Sequence, residues 1–333
     1  MPRRLPSPLR RGRSRPRAGF SLVELMIALV LLVVVVAFLM ETFTDQQRAY
    51  VVVDEVSQAQ GNARAVSELL ERDLREAGYK VPERMAVCGL DQSAGPDSLL
   101  VSATDVLDTV DALLPLDYLQ PDWAAEVEAI GAGTISLDVA DIDGDGDADF
   151  QEGMGVIVAD LNDPTGQVAC GQISGPVVAP AGPGNPWVVP FTLVAGNLPV
   201  AGDRRAVPAH YYRIENGDEL WRDNLRLVSD VEDFQVAYFF DADEDGVVDP
   251  NEMHGDGQGA TPTYDPSTVD HETLRDVRVN LVFTTATPDP RRLYADGIGQ
   301  VTENRNPATI AAADGLRRRI HTASVRARNV GTR

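Results

Sequence analysis

The apolar and polar positions of this chain change character once, near residue 79. Before it, an unbroken apolar run occupies residues 25–40. Beyond that run the apolar residues thin to a stripe at Val56, Ala63, Val66, Leu70, Leu74 and Ala77. Steps of three, four and seven keep side chains on one face of a helix. Glu55, Arg64, Glu68, Glu71, Arg72 and Arg75 fall on the opposite face. No proline interrupts the chain between Phe20 and Val81, and Gly78 and Pro82 supply the stop. The pattern predicts one helix of nearly sixty residues, with Gly61 as a candidate bend.

After Tyr79 the pattern becomes short apolar or alternating runs between Gly, Pro and Asp turns. Strands are expected at 98–103, 133–139, 155–158, 187–194, 209–215, 219–222, 233–240, 275–284 and 320–328. Asn216-Gly217 predicts a tight hairpin. Proline and glycine crowd residues 175–190, which reads as a loop. Residues 105–130 read as a proline-punctuated, partly helical insertion. The fold class is α+β: a long N-terminal helix, membrane-spanning in its first half, packed on an antiparallel β-sheet head with long loops. The expected divisions are a leader at 1–19, a helix at 20–78 and a β-rich head at 79–333.

The apolar run changes the picture of where the chain works. Residues 20–40 as a helix span about 32 Å at 1.5 Å per residue, enough for a bilayer core. Arginines 3, 4, 10, 11, 13, 15 and 17 precede the run with no acid among them, and acids follow it. The positive-inside rule then puts the N-terminus in the cytoplasm and the head outside it. A cleavable signal peptide would show a small-x-small site after the core; Phe38-Leu39-Met40-Glu41-Thr42-Phe43 offers none. A plain signal anchor has no need of Glu24, which stands where a carboxylate is costly.

The run Gly19-Phe20-Ser21-Leu22-Val23-Glu24-Leu25, behind a basic leader, resembles the class III signal of type IV prepilins and type II secretion pseudopilins. The resemblance implies that a prepilin peptidase cuts after Gly19 and methylates the new N-terminus at Phe20. It also implies that Glu24 pairs with the N-terminal amine of a neighbouring subunit, the alternative being that Glu24 snorkels to the headgroups. A buried carboxylate is tolerated when a cation neutralises it.

Weaker likenesses narrow the expectation. Residues 63–79, with a Cys nine residues on, the run Val231-Glu232-Asp233-Phe234-Gln235-Val236-Ala237-Tyr238, and residues 317–329 resemble the PilW family of minor pilins. That family implies a subunit priming pilus assembly. Its partners would be other minor pilins, the major pilin, the prepilin peptidase and the inner-membrane assembly platform. It would reside in the inner membrane and then in the pilus. A GspJ-like pseudopilin shares the same plan, and a calcium-stabilised adhesin on a pilin tail is the reading from another class. Residues 105–130 and 175–205 depart from a minimal member.

Charge excludes one class of partner. The formal net charge is −22, and loss of the seven leader arginines deepens it to −29. A chain this acidic repels nucleic acid and anionic headgroups. Cys88 and Cys170 are the only cysteines. In an oxidising compartment they are expected to form a disulfide, the alternative being two buried thiols.

Two acidic segments fit the twelve-position calcium loop D-x-[DN]-x-[DN]-G-x5-E. The first offers Asp141, Asp143, Asp145, Asp147, Asp149 and Glu152, with Gly146 at the sixth position. The second offers Asp241, Asp243, Asp245, the carbonyl of Val247, Asp249 and Glu252, with Gly246 at the sixth. Oxygens at positions one, three and five converge, glycine permits the sharp turn, and the twelfth carboxylate closes the shell. Two Ca2+ sites are expected, on loops at sheet turns rather than between helices; solvated acidic turns are the alternative. The four histidines, 210, 254, 271 and 321, show no metalloprotease or triad spacing. No phosphate loop or nucleophile elbow appears, so the chain reads as structural, not enzymatic.

Overall fold

The computed structural model describes residues 21–92, 95–105, 123–144, 148–162, 168–182, 184–255, 263–288, 315–327 and 329–330. These fall into two compact units, Met1–Asp54 and Glu55–Arg333.

In the first unit the chain is helical from Leu22, the start of α1 (Leu22–Glu76), and its apolar side chains from Leu22 to Val53 are exposed, save Val52, which is partly so. Among the described residues it is the one helix long and apolar enough to cross a membrane.

In the second unit the stripe read from the sequence is the buried face of α1. Ala63, Val66, Leu70 and Leu74 are buried, and Ala77 follows directly after the helix. Leu70 and Leu74 are each 1% exposed, and each burial stabilises by about 1.5–3 kcal/mol. Gly78 ends the helix at φ +78°, a left-handed conformation that favours glycine. The side-chain amide of Asn329 donates to the carbonyls of Arg75, Glu76 and Ala77 at 3.4, 3.3 and 3.1 Å. Carbonyls that a helix end leaves unpaired are thereby satisfied by the far end of the chain.

The stripe packs on a four-stranded antiparallel sheet with the order β12 (Met253–His254), β11 (Val231–Phe240), β13 (Leu274–Thr284), β14 (Arg318–Arg326). Phe234, Val236 and Tyr238 from β11, with Val277, Val279 and Leu281 from β13, face the helix. Leu99, Tyr212 and Leu220 of the larger sheet complete this core.

The larger sheet holds β1 (Val87–Leu90), β2 (Ser98–Ser102), β3 (Ala125–Gly131), β4 (Thr134–Leu137), β5 (Gly155–Asp160), β6 (Val168–Ile173), β7 (Trp187–Gly196), β8 (Arg204–Glu215), β9 (Glu219–Arg222) and β10 (Leu225–Val228). Six of them close on themselves: β8 pairs β3, then β4, β7, β6 and β5 follow, and β5 returns to β8. Ile135, Leu137, Phe150, Val156, Val158 and Phe191 fill this ring. Small rings of strands are filled by side chains in this way. At its other end β8 leaves the ring to pair with β2 and β9.

The α+β architecture read from the sequence is the one found. The hairpin at Asn216-Gly217 joins β8 to β9, with φ of +55° and +91° at its two central residues. Within 105–130, the segment Ala125–Gly131 is a strand. Its alternating burial, with Ala125 and Val127 inward and Glu126 and Glu128 outward, is strand periodicity. The remainder, 106–122, lies outside the described residues.

Candidate assembly helix and acidic loops

Gly19 and Phe20 lie outside the described residues. Glu24 stands in the first turn of α1 and is exposed. An acid in a first turn is favoured by the helix dipole.

Cys88 on β1 and Cys170 on β6 form a disulfide with Cα atoms 6.2 Å apart. Both residues are fully buried, among Leu100, Ile157 and Val207. The bridge joins the outer strand of the open end of the larger sheet to the ring.

The first acidic loop runs from β4 to β5 and the second from β11 to β12, so neither is flanked by a helix pair. In the first, Asp141, Asp143 and Asp149 bring one carboxylate oxygen each within 4.8 Å of one another. Gly144 donates to Asp141 at 2.7 Å and Ile142 donates to Asp149 at 2.5 Å. Asp149 is 2% exposed. Glu152 is exposed and stands apart from this cluster; its carbonyl accepts from Asn224 at 2.6 Å. Asp145 and Asp147 lie outside the described residues.

In the second loop Asp241, Asp243 and Glu252 converge to the same limit of 4.8 Å. Here the twelfth position does turn inward. Glu252 accepts from Ala242 at 2.7 Å and from Asp249 at 2.8 Å, and is 6% exposed. Asp245 instead accepts from the amide of Val247 at 2.7 Å. Gly246 takes φ +84°, the turn its position requires. Arg275 on β13, which the loop pattern does not include, donates from Nε to Asp241 at 3.0 Å. It is a cation recruited from 34 residues away, and no short motif could have named it.

Both clusters consist of carboxylate oxygens, the donor type of a hard cation such as calcium. Like charges held this close repel unless a cation or proton intervenes. In the second cluster Arg275 already supplies one positive charge to Asp241. Either cluster has the geometry to hold a metal ion.

Residues 14–40 match the family described as the prokaryotic N-terminal methylation motif. A solved structure, the type IV-like pilin TTHA1219 from Thermus thermophilus, aligns at 14% identity with a TM-score of 0.29, over 84% of this chain and 96% of that one. Comparison with curated proteins returned no match. The chain thus carries a prokaryotic N-terminal methylation motif whose later residues form the exposed, apolar start of α1.

Proposed function

We propose that this protein is a minor type IV pilin of the PilW kind, a structural subunit that primes or supports pilus assembly. The methylation motif over residues 14–40, with Glu24 in the first turn of an exposed apolar helix, carries the reading. Prepilin peptidase removes residues 1–19 and methylates Phe20. The apolar start of α1 holds the subunit in the inner membrane, with the head outside the cytoplasm. On assembly Glu24 accepts the N-terminal amine of a neighbouring subunit, so that neither charge enters the apolar filament core alone. The partners are other minor pilins, the major pilin and the inner-membrane assembly platform.

The two acidic loops are proposed as calcium sites that fasten the head. In the first, Asp141, Asp143 and Asp149 would hold the ion; in the second, Asp241, Asp243 and Glu252. Calcium would add positive charge among these clustered carboxylates, without any reaction at the site.

In-cell cross-linking of the membrane form, followed by identification of the attached proteins, tests the assignment. Capture of pilins together with the pilus assembly platform supports the PilW reading. Capture of type II secretion pseudopilins alone replaces it with the GspJ-like one.

A further inference from the structure

His210 on β8 sits where neither acidic loop nor assembly helix needs it. It is 5% exposed, and each of its ring nitrogens meets a different carboxylate. Nδ1 lies 2.8 Å from Asp223 Oδ2, and Nε2 lies 2.6 Å from Asp105 Oδ1. An ionised carboxylate can only accept, so both ring nitrogens must donate. A neutral imidazole has one N–H; only the imidazolium has two.

The carboxylates are fixed by other groups. Asp223 Oδ1 accepts from the amide of Tyr211 at 2.8 Å. Asp105 Oδ2 accepts from Arg222 at 3.3 Å. The same Arg222 nitrogen reaches Asp73 of α1 at 2.9 Å, and Asp73 also accepts from the hydroxyl of Tyr212 at 2.5 Å. Arg72, on the exposed side, lies 3.3 Å from the other oxygen of Asp73. This chain therefore sets two cations, the buried His210 and the mostly buried Arg222, against three carboxylates, Asp73, Asp223 and the more exposed Asp105. It runs without a break from α1 to β8, β9 and the turn after β2.

We propose that His210 is an obligate imidazolium latch, whose proton holds Asp105 and Asp223 in place and leaves Arg222 available to clamp Asp73, so that loss of that proton loosens the end of α1 from the head. Without it, one lone pair of the imidazole faces a carboxylate. Asp105 and Asp223 then lose a shared counter-ion, and Arg222 is drawn away from Asp73. The proton itself passes to solvent. The electrostatics agree with the geometry. Burial opposes the charge, but the hydrogen bonds that His210 donates to Asp105 and Asp223 outweigh it and push His210 up from 6.5 to about 9. A raised folded-state pKa confers stability that is complete below about 6.5 and is lost as pH rises through about 9.

The test uses the full-length protein in detergent, labelled with 15N-histidine. At pH 8 His210 should show both ring nitrogens protonated, against a neutral His271 in the same spectrum. A single protonated nitrogen on His210 at pH 8 overturns the proposal. Hydrogen exchange of the peptide over residues 70–77, corrected for intrinsic rate, should speed up by about tenfold or more between pH 8 and pH 10. No change in that peptide overturns the latch even if His210 is charged. His210→Gln should exchange rapidly in this peptide already at pH 7 and lose the pH dependence; protection equal to wild type at pH 7 would count against the latch. If that variant fails to fold, the wild-type titration decides.

Discussion

Arg275 donates to Asp241 through two nitrogens, Nε at 3.0 Å and Nη2 at 2.9 Å, and so stands where a bound cation would share the same carboxylate. Asp241 is 1% exposed and cannot be left bare without cost. The second acidic loop therefore carries a resident positive charge.

The charge and the two proposed sites can be probed by calorimetry and melting. Calcium at ten times its Kd should stabilise each filled site by about 1.4 kcal/mol. Asp141→Ala with Asp143→Ala should abolish one binding event, and Asp241→Ala with Asp243→Ala the other. Arg275→Gln should lower the melting temperature without calcium and enlarge the calcium-induced rise. Absence of calcium binding at several millimolar would leave both loops as solvated turns.

Processing is checked at the N-terminus. Mass spectrometry of the native protein should find a chain beginning at methylated Phe20. Glu24→Val should still insert into the membrane, since a charge is removed from an apolar segment, but should fail to enter filaments. Normal piliation by that variant would mean that Glu24 only snorkels.

The disulfide closes a separation of 82 residues between two fully buried positions. Replacing both cysteines by alanine should cost about 3–5 kcal/mol in the chain-entropy picture. Denaturant unfolding with and without the bridge reads the difference. Alkylation of the oxidised native protein should find no free thiol.

His271 supplies an acid limit. It is 3% exposed, and its Nε2 donates to the carbonyl of Pro266 at 3.0 Å. Burial pushes its pKa down from 6.5 to about 4. The unfolded chain therefore takes up a proton that the folded one refuses. Stability from this group is complete above about 6.5 and falls away as pH drops toward about 4. Melting temperature should decline over that window, and His271→Phe should flatten the decline.

Local chemistry was legible in the sequence, and closure was not. The stripe from Ala63 to Leu74 is buried on α1, because a helical period needs only neighbours three and four apart. The hairpin at Asn216-Gly217 is equally local. β1 and β6 escaped because Val87-Cys88-Gly89-Leu90 and Val168-Ala169-Cys170 are short apolar runs without alternation. β10 and β12 are four and two residues long. The ring depends on β8 returning to β5 and β3, pairings that no short window contains. At the first acidic loop the sequence offers both Asp149 and Glu152, and Asp149 is the one that joins Asp141 and Asp143. In a helix–loop–helix a following helix carries the twelfth residue back toward the ion. Here β5 begins at Gly155, and Glu152 sits at the turn before it.

β8 belongs to two structures at once. Ala209 faces Gly155 of the closed ring on one side and Ser102 of the open sheet on the other. A single residue inserted or deleted in β8 would turn inward-facing side chains outward in both, since strand faces alternate with every residue. The strand works as a common ruler: whatever length changes the surrounding loops accept, the spacing from Arg204 to Tyr212 is the dimension this head has no freedom to alter.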